Sequence, residues 1–120
     1  MGFRGITMVT VQVRDFERMV AWYQDVLGLT VVWQEPGEFC ALALPDGGPV
    51  LALATDHPDR IADRPGTGWT PNLRVDDLDA TVAHLRAAGV VLDAAEEGAD
   101  EGYRLVRIRD PEGNPIGLTT

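Results

Sequence analysis

Thr10-Val11-Gln12-Val13-Arg14-Asp15-Phe16, followed by Val20-Ala21 and Gly28, recurs as Asn72-Leu73-Arg74-Val75-Asp76-Asp77-Leu78, followed by Val82-Ala83 and Gly89. Val13 to Val75 is an offset of 62 residues, and Asp15 to Asp77 keeps it. The ends of the copies correspond as well. Leu44-Pro45-Asp46-Gly47-Gly48-Pro49 leads into Leu51-Ala52-Leu53, and Asp110-Pro111-Glu112-Gly113-Asn114-Pro115 leads into Ile116-Gly117-Leu118. Self-similarity at a fixed offset means that one supersecondary unit has been used twice.

Working outward from the first copy, Ile6 to Val13 is β-rich. After Asp15, the residues Phe16, Met19, Val20, Tyr23 and Val26-Leu27 recur at helical spacing until Gly28. Three strands are expected next, Leu29 to Gln34, Glu38 to Leu44 and Val50 to Thr55. Glu35-Pro36-Gly37 and Pro45-Asp46-Gly47-Gly48 supply the turns between them. The second copy predicts Thr70 to Val75, a helix over Leu78 to Ala88, then strands at Val90 to Leu92, Tyr103 to Arg109 and Pro115 to Thr119. Each copy therefore reads βαβββ. The fold class is α+β, with two tandem modules forming curved sheets around a central pocket. With 120 residues and 45% hydrophobic content, one domain is expected: module 1 at about 6–55, a linker at about 56–68 and module 2 at about 69–120.

The formal charge of −9 argues against nucleic acid, whose binding draws on cationic side chains that displace counterions. Asp93, Glu96, Glu97, Asp100 and Glu101 form the densest acidic patch, which either attracts a cationic ligand or solvates a loop. The single cysteine, Cys40, lies in an apolar run and reads as a buried small hydrophobe rather than a nucleophile. No segment has the length of a membrane span or the pattern of a signal peptide, so a cytoplasmic location is expected and no membrane partner. His57 falls in the linker and His84 in the second helix, and neither reads as a metal ligand.

The repeat, the Trp22-Tyr23-Gln24-Asp25-Val26-Leu27-Gly28 helix end and the Asp110-Pro111-Glu112-Gly113-Asn114-Pro115-Ile116 motif resemble the vicinal oxygen chelate superfamily. That is the glyoxalase, bleomycin-resistance and extradiol-dioxygenase group, and the likeness spans about Ile6 to Thr120. In its metal-dependent members each module offers one ligand on its first strand and one on its fourth. The family motif places these positions at Met8, Ala52, Thr70 and Gly117. A thioether, a methyl group, a hydroxyl and a hydrogen are poor donors for a divalent first-row metal. The resemblance thus implies the metal-free, bleomycin-resistance-like branch, with no metal and no cofactor.

Taking those four positions as inward and counting by twos gives an inward set of Met8, Thr10, Gln12, Ala52, Ala54, Thr70, Asn72, Arg74, Gly117 and Thr119. The opposite parity, from Val9, Val11 and Val13 to Leu51, Leu53, Leu73, Val75, Ile116 and Leu118, is uniformly apolar and is expected to face the helices. Small residues at Ala52, Ala54 and Gly117 are expected to leave volume, with Gln12, Asn72 and Arg74 as polar anchors. Trp33, Phe39, Trp69 and Tyr103 are candidate stacking walls, although Trp33 and Phe39 also suit a core. Trp22 and Tyr23 are assigned to packing. The expected ligand-binding set is Met8, Thr10, Gln12, Trp33, Phe39, Ala52, Trp69, Thr70, Asn72, Arg74, Tyr103, Arg107 and Gly117, with no catalytic residue.

Three functions are open to such a chain. The resemblance implies a homodimeric drug-binding protein that sequesters a cytotoxic natural product, bleomycin-like or an aromatic polyketide or enediyne, and so confers antibiotic resistance. The alternative is a metal-independent enzyme acting on an aromatic or polyketide-like substrate. In it Arg74, Arg107 or Tyr103 polarises a carbonyl, and a carboxylate of the 93–102 loop moves a proton. The third is an interaction module that binds no small molecule. Whether a dimer pairs edges or swaps modules is left open by the residues.

Overall fold

In the computed structural model, which describes residues 2, 4, 6–55, 71–92 and 104–120, each copy of the repeat builds its own sheet and one helix. The chain divides into two units, Met1–Ile61 and Ala62–Thr120. In the first unit, β1 (Met8–Gln12), α1 (Phe16–Asp25), β2 (Thr30–Glu35), β3 (Phe39–Ala43) and β4 (Val50–Ala54) form a four-stranded sheet of order β1-β4-β3-β2. In the second, β5 (Asn72–Arg74), α2 (Leu78–Ala87), β6 (Leu105–Arg109) and β7 (Pro115–Thr119) form a sheet of order β5-β7-β6. The architecture is α+β, as expected.

Both units close in the same way. The first strand pairs parallel with the last, β1 with β4 and β5 with β7, while the other pairings are antiparallel. Beyond each first strand the next N–H continues the ladder: Val13 N–H donates to the Ala54 carbonyl at 2.9 Å, and Val75 N–H to the Thr119 carbonyl at 2.8 Å. A parallel return needs a crossover, and the helix supplies it.

The repeated aspartates start the helices. The Asp15 carboxylate accepts from Arg18 N–H at 3.4 Å, and the Asp77 carboxylate from Ala80 N–H at 3.0 Å. Each satisfies an N–H that the first helical turn leaves without a partner. Gly89, at φ +79°, ends α2: its N–H returns to the Arg86 carbonyl and the Val90 N–H to Leu85, both within 3.0 Å. That closure corrects the strand expected over Val90 to Leu92. Val90 has given its N–H to the helix, so only the bridge of Leu92 to Ile108 and an Arg109 N–H to Val91 carbonyl bond remain among the described residues.

The core of the first unit holds Val13, Phe16, Met19, Val20, Tyr23, Leu29, Cys40, Leu42, Leu51 and Leu53. These are the apolar parity of the strands and the apolar stripe of α1. Tyr23 is fully inside, with Trp22 edge-on against it at 5.0 Å. Cys40 is fully buried, and burial pushes its thiol pKa up, which suits packing and not nucleophilic attack. In the second unit Leu78 and Leu85 of α2 are buried, as are Val106, Ile108, Ile116 and Leu118 of the strands.

Asp110-Pro111-Glu112-Gly113-Asn114 forms a self-contained turn between β6 and β7. The buried Asp110 carboxylate accepts from Glu112 N–H and Asn114 N–H at 2.9 Å each, and from Asn114 Nδ2 at 2.8 Å. Gly113, at φ +86°, donates to the Asp110 carbonyl, and Asp110 N–H to the Asn114 carbonyl. One carboxylate thus organises the whole reversal.

Asp110→Ala should cost about 3 kcal/mol, because it leaves N–H groups without their acceptor in a part-buried turn; urea denaturation reads this as a lower midpoint with an unchanged slope. Arg104, just before β6, hydrogen-bonds Asp79 of α2 at 2.8 Å, and that bond, followed by its charge, holds the Asp79 carboxyl below its usual pKa. A depressed carboxylate pKa contributes stability above the ordinary range, lost as pH falls through the lower folded value. Arg104→Ala should therefore raise the Asp79 pKa to its ordinary value in an NMR titration. Both side chains are solvent-accessible, so the melting temperature at neutral pH should barely move.

Candidate functional site

The parallel ladders decide which side chains share a face. In the first sheet the register forms cross-strand rows Thr10–Ala52–Ala41–Trp33 and Gln12–Ala54–Phe39–Glu35. Met8 precedes Thr10 on the same face, opposite Val50. The buried residues Leu51, Leu53, Cys40 and Leu42 belong to the other parity.

Trp33 reaches its row through an irregularity. Val31 pairs with Leu42 and Trp33 with Ala41, so Val32 is an extra residue without a partner. A regular ladder would set Val32 against Ala41 and turn Trp33 to the opposite side. The bulge instead puts the indole beside Phe39, with ring centroids 5.3 Å apart and a tilt of 57°. Trp33 is 55% exposed and Phe39 half-buried, so the pair stands at the solvent edge of the sheet and not in its core. Alternation alone could not have located it, because it fails at Val32.

Beside this pair the floor is made of methyl groups. Ala41, Ala52 and Ala54 are all buried, while Met8 at 42% and Thr10 are exposed. Gln12, on the outer strand β1, is buried and polar. The side chains of this face that reach solvent include Met8, Thr10 and Trp33, with Phe39 half-buried beside Trp33.

The second sheet presents a different chemistry. Its rows are Asn72–Gly117–Arg107 and Arg74–Thr119–Leu105, with Arg109 opposite Pro115. Gly117 is buried, and a Cβ built on it would overlap the Asn72 side-chain oxygen and press on Leu105 Cδ1 at 3.1 Å. The volume expected at Gly117 is taken up by the Asn72 amide. Asn72 and Arg74 are exposed and Arg107 is half-buried.

Trp69, Thr70 and Tyr103 lie outside the described residues, as do His57 and the acidic patch from Asp93 to Glu101. His84 is exposed on α2. Among the described residues no group of three or more His, Cys, Asp or Glu is placed to hold a metal ion. The donor set does not fit one either: Ala52 offers a buried methyl, and Gly117 lies under a neutral amide. No helix of the described residues is long and apolar enough to cross a membrane.

Gly117→Ala should displace the exposed Asn72 amide and cost about 1 kcal/mol. Combining it with Asn72→Ala should recover most of that loss, giving a coupling term in a double-mutant cycle followed by thermal unfolding.

The solved structures that resemble this chain include TnmS3, an antibiotic binding protein from Streptomyces sp. CB03234. It is 28% identical, with a TM-score of 0.82 over 99% of this chain and 97% of that one. A member of the glyoxalase/bleomycin resistance protein/dioxygenase superfamily from Sphaerobacter thermophilus DSM 20745 is 25% identical, with a TM-score of 0.79 over 98% and 97% of the two chains. Lactoylglutathione lyase from Agrobacterium tumefaciens shares the fold at 22% identity and a TM-score of 0.74, over 96% of this chain and 92% of that one. No curated protein matches the sequence. The family model for the Glyoxalase/Bleomycin resistance protein/Dioxygenase superfamily matches residues 5–118. Two βαβ-closed units with the Asp110 turn, matched over nearly the whole length, make this chain a member of that superfamily.

Proposed function

We propose that the protein is a metal-independent small-molecule-binding protein that sequesters a cytotoxic natural product and so protects the cell that carries it. The ligand is large and partly aromatic, of the bleomycin, aromatic polyketide or enediyne kind. The protein acts in the cytoplasm as a homodimer with two equivalent sites, a symmetry common among homo-oligomers.

The observation that carries this reading is an exposed aromatic pair beside a chemically inert floor. Trp33 and Phe39 touch at the solvent edge of the first sheet, next to Ala41, Ala52 and Ala54. The rows that hold them carry no cysteine or histidine, and their one carboxylate, Glu35, sits on the edge strand. Such a surface suits stacking, where each aromatic contact adds about 0.5–1.5 kcal/mol beyond area burial. Likeness to an antibiotic binding protein over 99% of the chain supports the same reading.

Sequestration at micromolar to nanomolar affinity needs about 8–12 kcal/mol. At about 25 cal/mol per Å² this demands several hundred Å² of buried apolar surface before association costs are counted, hence a large ligand. A missing metal removes nothing that such binding needs.

Native mass spectrometry, on protein as isolated and after incubation with a panel of cytotoxic aromatic natural products, tests the proposal. A metal-free dimer carrying two ligands of unchanged mass is expected. A ligand of altered mass would move the protein to the enzyme class, and a retained metal ion would overturn the reading. Trp33→Ala should weaken binding of the compound so identified by about tenfold while costing under about 1 kcal/mol of stability, because the indole is half exposed. An equal loss of stability and affinity would identify Trp33 as a packing residue.

A further inference from the structure

A negative charge stands beside the aromatic pair of the first sheet, on strands that hold no positive one. None of the four strands carries a Lys, Arg or His, and residues 19–55 as a whole contain none. Glu35, Glu38 and Asp46 are the acidic residues of β2, β3, β4 and the turns between them. Glu35 is exposed and forms no ion pair among the described residues.

Pairing fixes where that carboxylate stands. Glu35 lies opposite Phe39 in the β2–β3 ladder and two residues beyond Trp33, past the bulge, so all three side chains leave the same face. Opposite residues of an antiparallel pair bring their Cβ atoms to about 5 Å, and two steps along a strand span about 7 Å. The turn that follows holds this end of the hairpin. Glu38 N–H donates to the Glu35 carbonyl at 3.1 Å, and Thr55 N–H to the Glu38 carbonyl at 3.1 Å. Trp33 and the bulged Val32 are each 55% exposed, while Ala41 and Ala54, further along the same rows, are buried and lie outside this edge.

The face of an aromatic ring is the negative side of its quadrupole, and it attracts a cation within about 6 Å of the ring centre. A carboxylate beside the ring adds an ion pair to that attraction. We infer that Trp33, Phe39 and Glu35 form a subsite for the cationic amine of an aromatic ligand. The ligand's fused rings stack on the indole, and its ammonium group meets the Glu35 carboxylate. This rests on the binding-protein reading above and narrows its ligand to an aromatic amine. The subsite lies wholly on one hairpin. The formal charge of −9 acts in the same direction, drawing cations toward the surface at low ionic strength.

Fluorescence titration with 2-(aminomethyl)anthracene, an ammonium at neutral pH, and with 2-(hydroxymethyl)anthracene tests it, since the two differ little in shape and by one charge. The ammonium probe should bind about tenfold more tightly at low ionic strength, with the gap narrowing as salt is added. Glu35→Gln should remove most of that preference and leave the alcohol's affinity as it was. Glu17→Gln, which removes the same charge from α1, should keep the preference. Trp33→Ala should weaken both probes. Equal binding of the two probes by the unmodified protein, or equal loss of preference in the two glutamate variants, would overturn the subsite while leaving the binding function standing. Binding of neither probe would count against both.

Discussion

The parallel pairing of the first strand of each unit with its last sets everything else in this protein. A strand has two faces, and a slip of one residue would exchange them. Here the register is pinned at both ends of each ladder. Val50 N–H reaches back to the Thr7 carbonyl and Val13 N–H to Ala54; Gly117 N–H reaches Pro71 and Val75 N–H reaches Thr119. Once these bonds form, one parity of each sheet is committed to the core, with Leu51, Leu53, Ile116 and Leu118 all at most 3% exposed. On the other parity Met8, Thr10, Trp33, Asn72 and Arg74 stay exposed, while Ala41, Ala52, Ala54 and Gly117 are buried.

The aspartates of the repeat and of the Asp110 turn serve that ladder. Asp15 and Asp77 cap the crossover helices. Asp110 organises the turn that returns β7 beside β5, spending its acceptor capacity on the backbone and side chain of its own loop.

Most of this was legible in the sequence because it is periodic. Two copies at a fixed offset expose the modules, alternation exposes the core parity, and aspartates followed by helical spacing expose the caps. Two features were not legible. The bulge at Val32 breaks the alternation that any reading of faces depends on, and only the pairing of Val31 and Trp33 with consecutive residues of β3 reveals it. The contest over Val90 was also local: the same N–H could enter a ladder or close the helix, and Gly89 in the left-handed region lets the helix win. Gly117 was read from its size, but what fills the space is the amide of a residue 45 positions earlier, which depends on register.

The exposed side chains of the two sheets differ in kind. The first sheet carries the aromatic pair Trp33–Phe39 at its solvent edge. The second carries guanidinium groups on one face. A chain of net charge −9 repels an acidic ligand at long range. At physiological ionic strength that field is screened beyond about 8 Å, so only charges near the site are felt by a docked group. The arginines on one face of the second sheet thus set a local charge that the net charge of −9 does not describe.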